Sequence, residues 1–231
     1  MIRVKGALVL LVVAAYATRG GAQQPRQTTF SSPEEAANAL FLALEANDGK
    51  KLLDLFGGDE ELFATDDARR DDLVRQRFLE KFRQMHRLAS EPEGTVLYIG
   101  AENWPFPIPL TGNGAAWSFD TDAGRNEILF RRIGANESSA IGICEALARS
   151  DEQTAAVLAK PVPIGGYYFR ALSRGKRPSF IAYPADYGSS GVMTFVVDHD
   201  AVYERDLGPG TAEAVKSMTR YRPDSSWSAV Q

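Results

Sequence analysis

The stretch TVLYIGAENWPFPIPLTGNGAAWSF, residues 95–119, decides the fold class. Residues 95–99 are β-branched and aromatic, the composition of a strand. Residues 106–110 and 116–119 flank Asn113-Gly114, a dipeptide that reaches positive φ readily and so closes hairpins. Pro105, Pro107 and Pro109 remove ladder donors and force an extended path, which places that segment at a sheet edge or in irregular chain. Sheet begins here, and the chain before it reads as helix.

Upstream, Ser32-Pro33-Glu34-Glu35 is a helix start. Ser32 caps, Pro33 takes the first helical position, and Glu35 reaches back to complete a capping box. Ala36, Ala37, Leu40, Ala43 and Leu44 fall on one helical face, and Asn47-Asp48-Gly49 ends the run. Residues 51–56 form a second short helix closed by Gly57-Gly58. Asp66 opens a longer third helix with Leu73, Phe78, Phe82 and Met85 on one side and His86 near its end.

Downstream, the pattern is helical from Asp122 to about Leu158, through Ile128, Leu129, Ile133, Ala140, Ile141, Cys144, Leu147 and Ala148. Gly134 is the candidate kink or break, because glycine costs about 1 kcal/mol in a helix interior. Pro161 and Pro163 close the stretch. Strand signals follow at 167–172, 179–183, 192–197 and 201–205, and Thr211 caps a last helix to about Thr219. The expected fold is α+β: N-terminal helices plus a β-hairpin, a long central helix, a C-terminal antiparallel meander and a terminal helix.

The N-terminus reads as an address. Arg3 and Lys5 precede an apolar run over residues 7–17, and Gly20-Gly21-Ala22 supplies small residues for cleavage after Ala22. This is the layout of a secretory signal peptide, and its eleven apolar residues fall short of the roughly 20 that span a bilayer. Residues 23–31 read as a linker. Residues 32–231 read as one α+β domain, which admits a division into subdomains at 32–121 and 122–231.

Composition sets further bounds. The 231 residues are 44% apolar and 24% charged, typical of a folded chain. Residues 1–22 carry three bases (Arg3, Lys5, Arg19) and no acid, so of the formal −4 the remainder keeps 23 bases against 30 acids, a net −7. That balance argues against a nucleic-acid partner. No second run approaches transmembrane length, so no membrane span is expected after signal cleavage. Two His and one Cys rule out most metal sites built from those ligands, and neither a metal nor a cofactor is expected. Cys144, alone and among Ile141, Ile143 and Leu147, is expected to be buried.

The blocks SPEEAANALFLALEANDGKKLLDLFG (32–57), ENWPFPIPL (102–110), GRNEILFRRIGANESSAI (124–141), GYYFRAL (166–172), AYPADYGSSGVMTFVVD (182–198) and ERDLGP (204–209) resemble a bacterial family of secreted proteins, the domain of unknown function 2950. The resemblance covers residues 28 to about 230 and implies an exported envelope or extracellular protein, with no established activity or cofactor to carry over. Family members carry longer segments before GYYFR and between that block and YPADYG; both are short here. The layout of residues 134–208 is similar to the soluble part of bacterial pseudopilins, and the first hundred residues to a cystatin-like α+β cone. These are likenesses of fold and carry no function by themselves.

Candidate chemistry is sparse. His86 is expected to stabilise a helix C-terminus, and Asp120, Asp122 and Glu127 a helix N-terminus. His199 between Asp198 and Asp200 reads as a solvated turn, because its spacing matches no calcium loop. Arg131, Arg132 and Arg170 suit an anionic ligand or salt bridges to Glu127, Glu137 or Asp186. No nucleophile elbow or phosphate loop is present. No catalytic residue is therefore assigned. The candidate ligand-binding residues are Trp104 and Phe106, in the aromatic-proline block, and Tyr183, Asp186 and Tyr187, in a turn-rich loop between strands. The expectation is a non-enzymatic envelope protein that binds or assembles with an unknown protein or small-molecule partner. The alternative is a small-molecule-binding or hydrolytic pocket in the N-terminal α+β part, built on Asp120 or His86.

Overall fold

The computed structural model describes residues 27–65, 67–114, 116–148, 162–172, 179–198, 201–219, 221 and 224–230. The proposed signal peptide, Asp66, His199 and Asp200, and the stretch 149–161 lie outside the described residues.

Three helices come first. In α1 (Pro33–Glu45), the Ser32 side chain accepts from the Glu35 amide, as a cap should. Glu35 reaches back one residue further than a capping box requires, accepting from the amide and hydroxyl of Ser31 at 2.9 and 2.6 Å. Asp48 caps α2 (Gly49–Leu55) and Asp67 caps α3 (Ala68–Gln84), each accepting from the amide three residues on. Phe78, Leu79 and Phe82 form the buried face of α3. Leu73, expected on that face, is 52% exposed, and Met85 already has extended backbone.

The chain then enters a five-stranded antiparallel sheet, sheet A, with order β1-β2-β4-β5 and β3 paired to β2. Its strands are β1 (His86–Glu91), β2 (Gly94–Ile99), β3 (Trp104–Pro105), β4 (Leu110–Gly112) and β5 (Trp117–Phe119). The hairpin around Asn113-Gly114 forms as expected, with Leu110 opposite Phe119. The prolines keep 106–109 out of any strand. Strand β1 is a correction, because His86 begins a strand instead of ending a helix. A two-residue connection, Pro92-Glu93, closes β1 onto β2, and Gly94 takes the φ of +138° that follows it. Residues 27–31, expected as linker, are tied in: the Gln27 side chain donates to Leu55 O and Phe119 O, and Phe30 pairs with Trp117.

α4 (Thr121–Ala148) is one helix of 28 residues and runs through Gly134 without a break. At 1.5 Å per residue it is about 42 Å long. Its N-terminal half meets the proline segment, where Gly124 lies so close to Ile108 that an added Cβ would sit 2.7 Å from Cγ1. Its C-terminal half packs through Ala140, Cys144 and Leu147 on a second sheet.

That sheet, sheet B, is an antiparallel meander in the order β10-β9-β8-β7-β6. It comprises β6 (Tyr167–Ala171), β7 (Phe180–Pro184), β8 (Met193–Asp198), β9 (Ala201–Asp206) and a short β10 (Ser228–Ala229) absent from the sequence reading. α5 (Thr211–Ser217) covers its other face. Thr211 is the first helical residue and not the cap; its hydroxyl donates to Gly208 O. Among the described residues the architecture is α+β, with five α-helices and two antiparallel sheets.

Three apolar clusters hold these parts together. One joins α1, α2 and α3 to sheet A. Its centre is a run of rings, Phe56 on Phe119, Phe119 on Phe106, Phe106 on Phe78 and Phe78 on Phe82, with successive centroids 5.4 to 6.2 Å apart. The second lies between α4 and sheet B, and the third between sheet B and α5.

Candidate binding groove

β2 alternates: Thr95, Leu97 and Ile99 enter the aromatic core, while Val96 and Tyr98 point to the opposite face of sheet A. The first turns of α4 stand over that face. Between them is a cleft of about 530 Å³, within the range of about 300–1,000 Å³ common to ligand sites. Its floor is Val96 and Tyr98; Pro105, Phe106, Pro107 and Pro109 form one side; Asn126, Glu127, Phe130 and Arg131 form the helical wall; and Glu91 and Glu93 stand on the rim.

The walls are rigid. Each proline locks its own φ, and Phe106 is held from behind by Phe78 and Phe119. Arg131 fixes the helix against the proline segment: Nε donates to Glu127 at 2.7 Å, Nη1 donates to Pro105 O at 2.8 Å, and the guanidinium lies 5.2 Å from the Trp104 ring. Tyr98 donates to Glu91 at 3.1 Å, and this bond raises its phenol pKa above the ordinary value, with burial adding to the shift. Phe130 remains 67% exposed, so large apolar surface is left uncovered at the mouth, and Trp104, beside the groove, is 39% exposed.

The five residues selected from the sequence fall into two groups. Phe106 lines the groove, and Trp104 lies beside it, its ring under the Arg131 guanidinium. The other three sit at the end of sheet B, and none of them lines the groove. Tyr183 packs on Tyr168 at 5.6 Å, Tyr187 donates to Asp206, and the main chain of Asp186 closes a turn with Ser189 and Ser190. Asp186 is itself exposed.

This turn belongs to a tight junction that sequence reasoning missed. Glu137 Oε1 accepts from the amides of Val192 and Met193, both at 2.9 Å. The buried Tyr167 hydroxyl donates to Met193 O at 2.9 Å, and Asn136 donates to Ser190 O. Burial, with the Glu137 carboxylate beside it, pushes the Tyr167 phenol far above its ordinary range. Gly191 lies against that phenol: a Cβ there would be 2.1 Å from the oxygen. The RRIGANE, GYYF and YGSSGVM blocks meet at this point.

The remaining candidates have local partners. His86 Nδ1 is 3.0 Å from Phe82 O, and its ring stacks on Phe82. Asp120 accepts from the Ala123 amide at 3.0 Å and caps α4. Neither lines the groove. Asp122 pairs with Arg125, which also reaches Asp59. Arg170 donates to the carbonyls of Val215 and Met218 at the end of α5 rather than to an acid, while Arg132 is exposed. Burial pushes the Cys144 thiol up to about 12, which leaves it protonated and unreactive. Among the described residues, no three His, Cys, Asp or Glu are grouped to hold a metal ion, and no helix is long and apolar enough to cross a membrane.

A family model described as a protein of unknown function, DUF2950, matches residues 27–177 and 172–230. The two matches meet between β6 and β7, at one of the connections read as short. No curated protein matches the chain, and no solved structure does.

Proposed function

We propose a function from one premise: the chain belongs to the DUF2950 family of proteins of unknown function. Membership supplies no reaction, so function is argued from the site. We infer that this is an exported protein of the bacterial envelope, that it acts by binding rather than catalysis, and that the groove between sheet A and α4 is where it binds.

The groove carries this reading. It is concave, its walls are held by prolines and by the Arg131 bonds, and it leaves Phe130 uncovered at its mouth. Rigid aromatic surface of this kind binds at low entropic cost. The groups that would serve as acid or base, His86 and Asp120, are instead tied to nearby backbone. Export is supported by Arg3 and Lys5, the apolar run 7–17 and the small residues 20–22.

Two measurements test the reading. A photo-crosslinking amino acid placed at Phe130 is expected to give adducts in cells, while the same group at Ala212, on the exposed side of α5, gives none. Equal labelling from both positions removes the groove from the argument. N-terminal sequencing of the exported protein is expected to begin at Gln23; a chain that begins at Met1 overturns cleavage after Ala22.

A further inference from the structure

We propose that the groove takes an extended polypeptide segment carrying lysine or arginine, an inference that rests on the binding role above and names the chemistry of the partner. The first support is charge. Three carboxylates, Glu91, Glu93 and Glu127, line the groove against one cation, Arg131. Arg131 is already engaged by Glu127 and Pro105 O. Among the described residues, Glu91 and Glu93 form no ion pair, and both are exposed on the rim. A cationic side chain arriving there meets two uncompensated carboxylates.

Two ring faces beside the groove already hold the chain's own guanidiniums, Arg131 over Trp104 and Arg87 over Tyr98 at 4.2 Å, so an arriving cation is met by the rim carboxylates and not by these rings. Arg87 is held by Asn103 as well, so it adds some positive charge beside the floor without closing the rim. The second support is shape. The acidic rim and the exposed Phe130 flank one cleft, which fits an occupant that alternates apolar and basic groups. Pro105, Pro107 and Pro109 carry no amide N–H, and that of Phe106 is taken by Leu97 O, so recognition along this wall is by side chains.

The test uses the full chain and three capped nonapeptides built on a Pro-X-Leu repeat, with X as Lys, Gln or Glu, titrated by calorimetry at low salt and at 0.3 M salt. The Lys peptide is expected to bind at least about tenfold tighter than the Gln peptide at low salt, with the gap narrowing at high salt as screening shortens the reach of the rim charges. The Glu peptide is expected to bind weakest. The double variant Glu91→Gln with Glu93→Gln should erase the preference for Lys, bringing the Lys and Gln peptides to the same affinity. Phe130→Ser, at an exposed position that leaves folding intact by circular dichroism, should weaken both peptides. Equal binding of the Lys and Gln peptides overturns the basic-segment proposal while the groove keeps its binding role. A chain that binds none of the three overturns the proposal, and a failure of the Phe130 crosslink as well removes the binding role beneath it.

Discussion

Sheets A and B are both antiparallel, yet they use their faces differently. Sheet B is covered on both sides: Phe180, Ala182, Phe195 and Val197 face α4, while Ile181 and Val196 face α5. β7 and β8 are accordingly near-continuous apolar runs, as expected of strands with no wet face. Sheet A buries one face against α1 and α3 and only partly covers the other, so β2 alternates and the groove opens beside Tyr98. The difference teaches where function can sit. A sheet sealed on both faces has its side chains committed to packing; a half-covered sheet has a face left over.

The strongest way to break this comparison is Gly191→Ala. Its Cβ would collide with the hydroxyl and ring of Tyr167, a fully buried side chain bonded to Met193 O. Overpacking of this kind costs about 3 kcal/mol. The readout is the lone thiol, Cys144, which is sealed in the wild-type chain and should label with Ellman's reagent far faster in the variant. Groove binding through sheet A should survive; its loss would mean that the two sheets open as one unit.

Next in size is Glu137→Ala. It strips the acceptor from two amides and should lower stability to urea by about 1–2 kcal/mol, while Glu137→Gln, which keeps one oxygen, should lose less. Equal losses for the two would argue that the amides find other partners.

Smaller, and of opposite sign, is Gly134→Ala. The position is exposed within α4, and a Cβ there meets nothing within 4 Å. The substitution should raise stability by up to about 1 kcal/mol. A loss would show that α4 needs flexibility between its two packing halves.

The smallest expected effect separates the sheets by acid. Glu35, Asp48 and Asp71, all at helix starts on the sheet A side, are held below their ordinary carboxyl values by hydrogen bonds: from the Ser31 hydroxyl and amide, the Lys51 amide, and the Thr65 amide and hydroxyl. A lowered folded pKa contributes stability above the ordinary range, and that contribution is lost as pH falls through the lowered value. Here the loss begins below about pH 4. On the sheet B side Asp224 alone shows such a lowering among the described residues. Emission from Trp117 should therefore change at higher pH than emission from Trp227, each followed in a variant with the other tryptophans replaced by Phe. Coincident transitions would remove the distinction.

The parts legible in the sequence share one property: their causes are local. Ser32 and Asp48 cap helices whose first amides are three residues away, and Asn113-Gly114 closes a hairpin between neighbours. The alternation of 95–99 separates core from groove within one strand. β1 was hidden because HRLASE is polar and its two-residue turn, Pro92-Glu93, is understated; the Pro-Glu-Gly sequence at 92–94 is the signal that points to it. Of the site, Phe106 stands out by composition, as does Trp104 beside it, but Glu91, Glu93, Tyr98 and Phe130 do not. Each is ordinary by itself and becomes part of a groove only when α4 crosses sheet A. By itself the sequence determined the α+β class, most element positions and the family, because capping, turns and periodicity act over a few residues. Only the tertiary structure decided that Glu137 would bind amides 55 and 56 residues away, that Gly191 would face a phenol, and that one sheet face would stay open. Those outcomes depend on how surfaces distant in sequence pack, and no local signal encodes them.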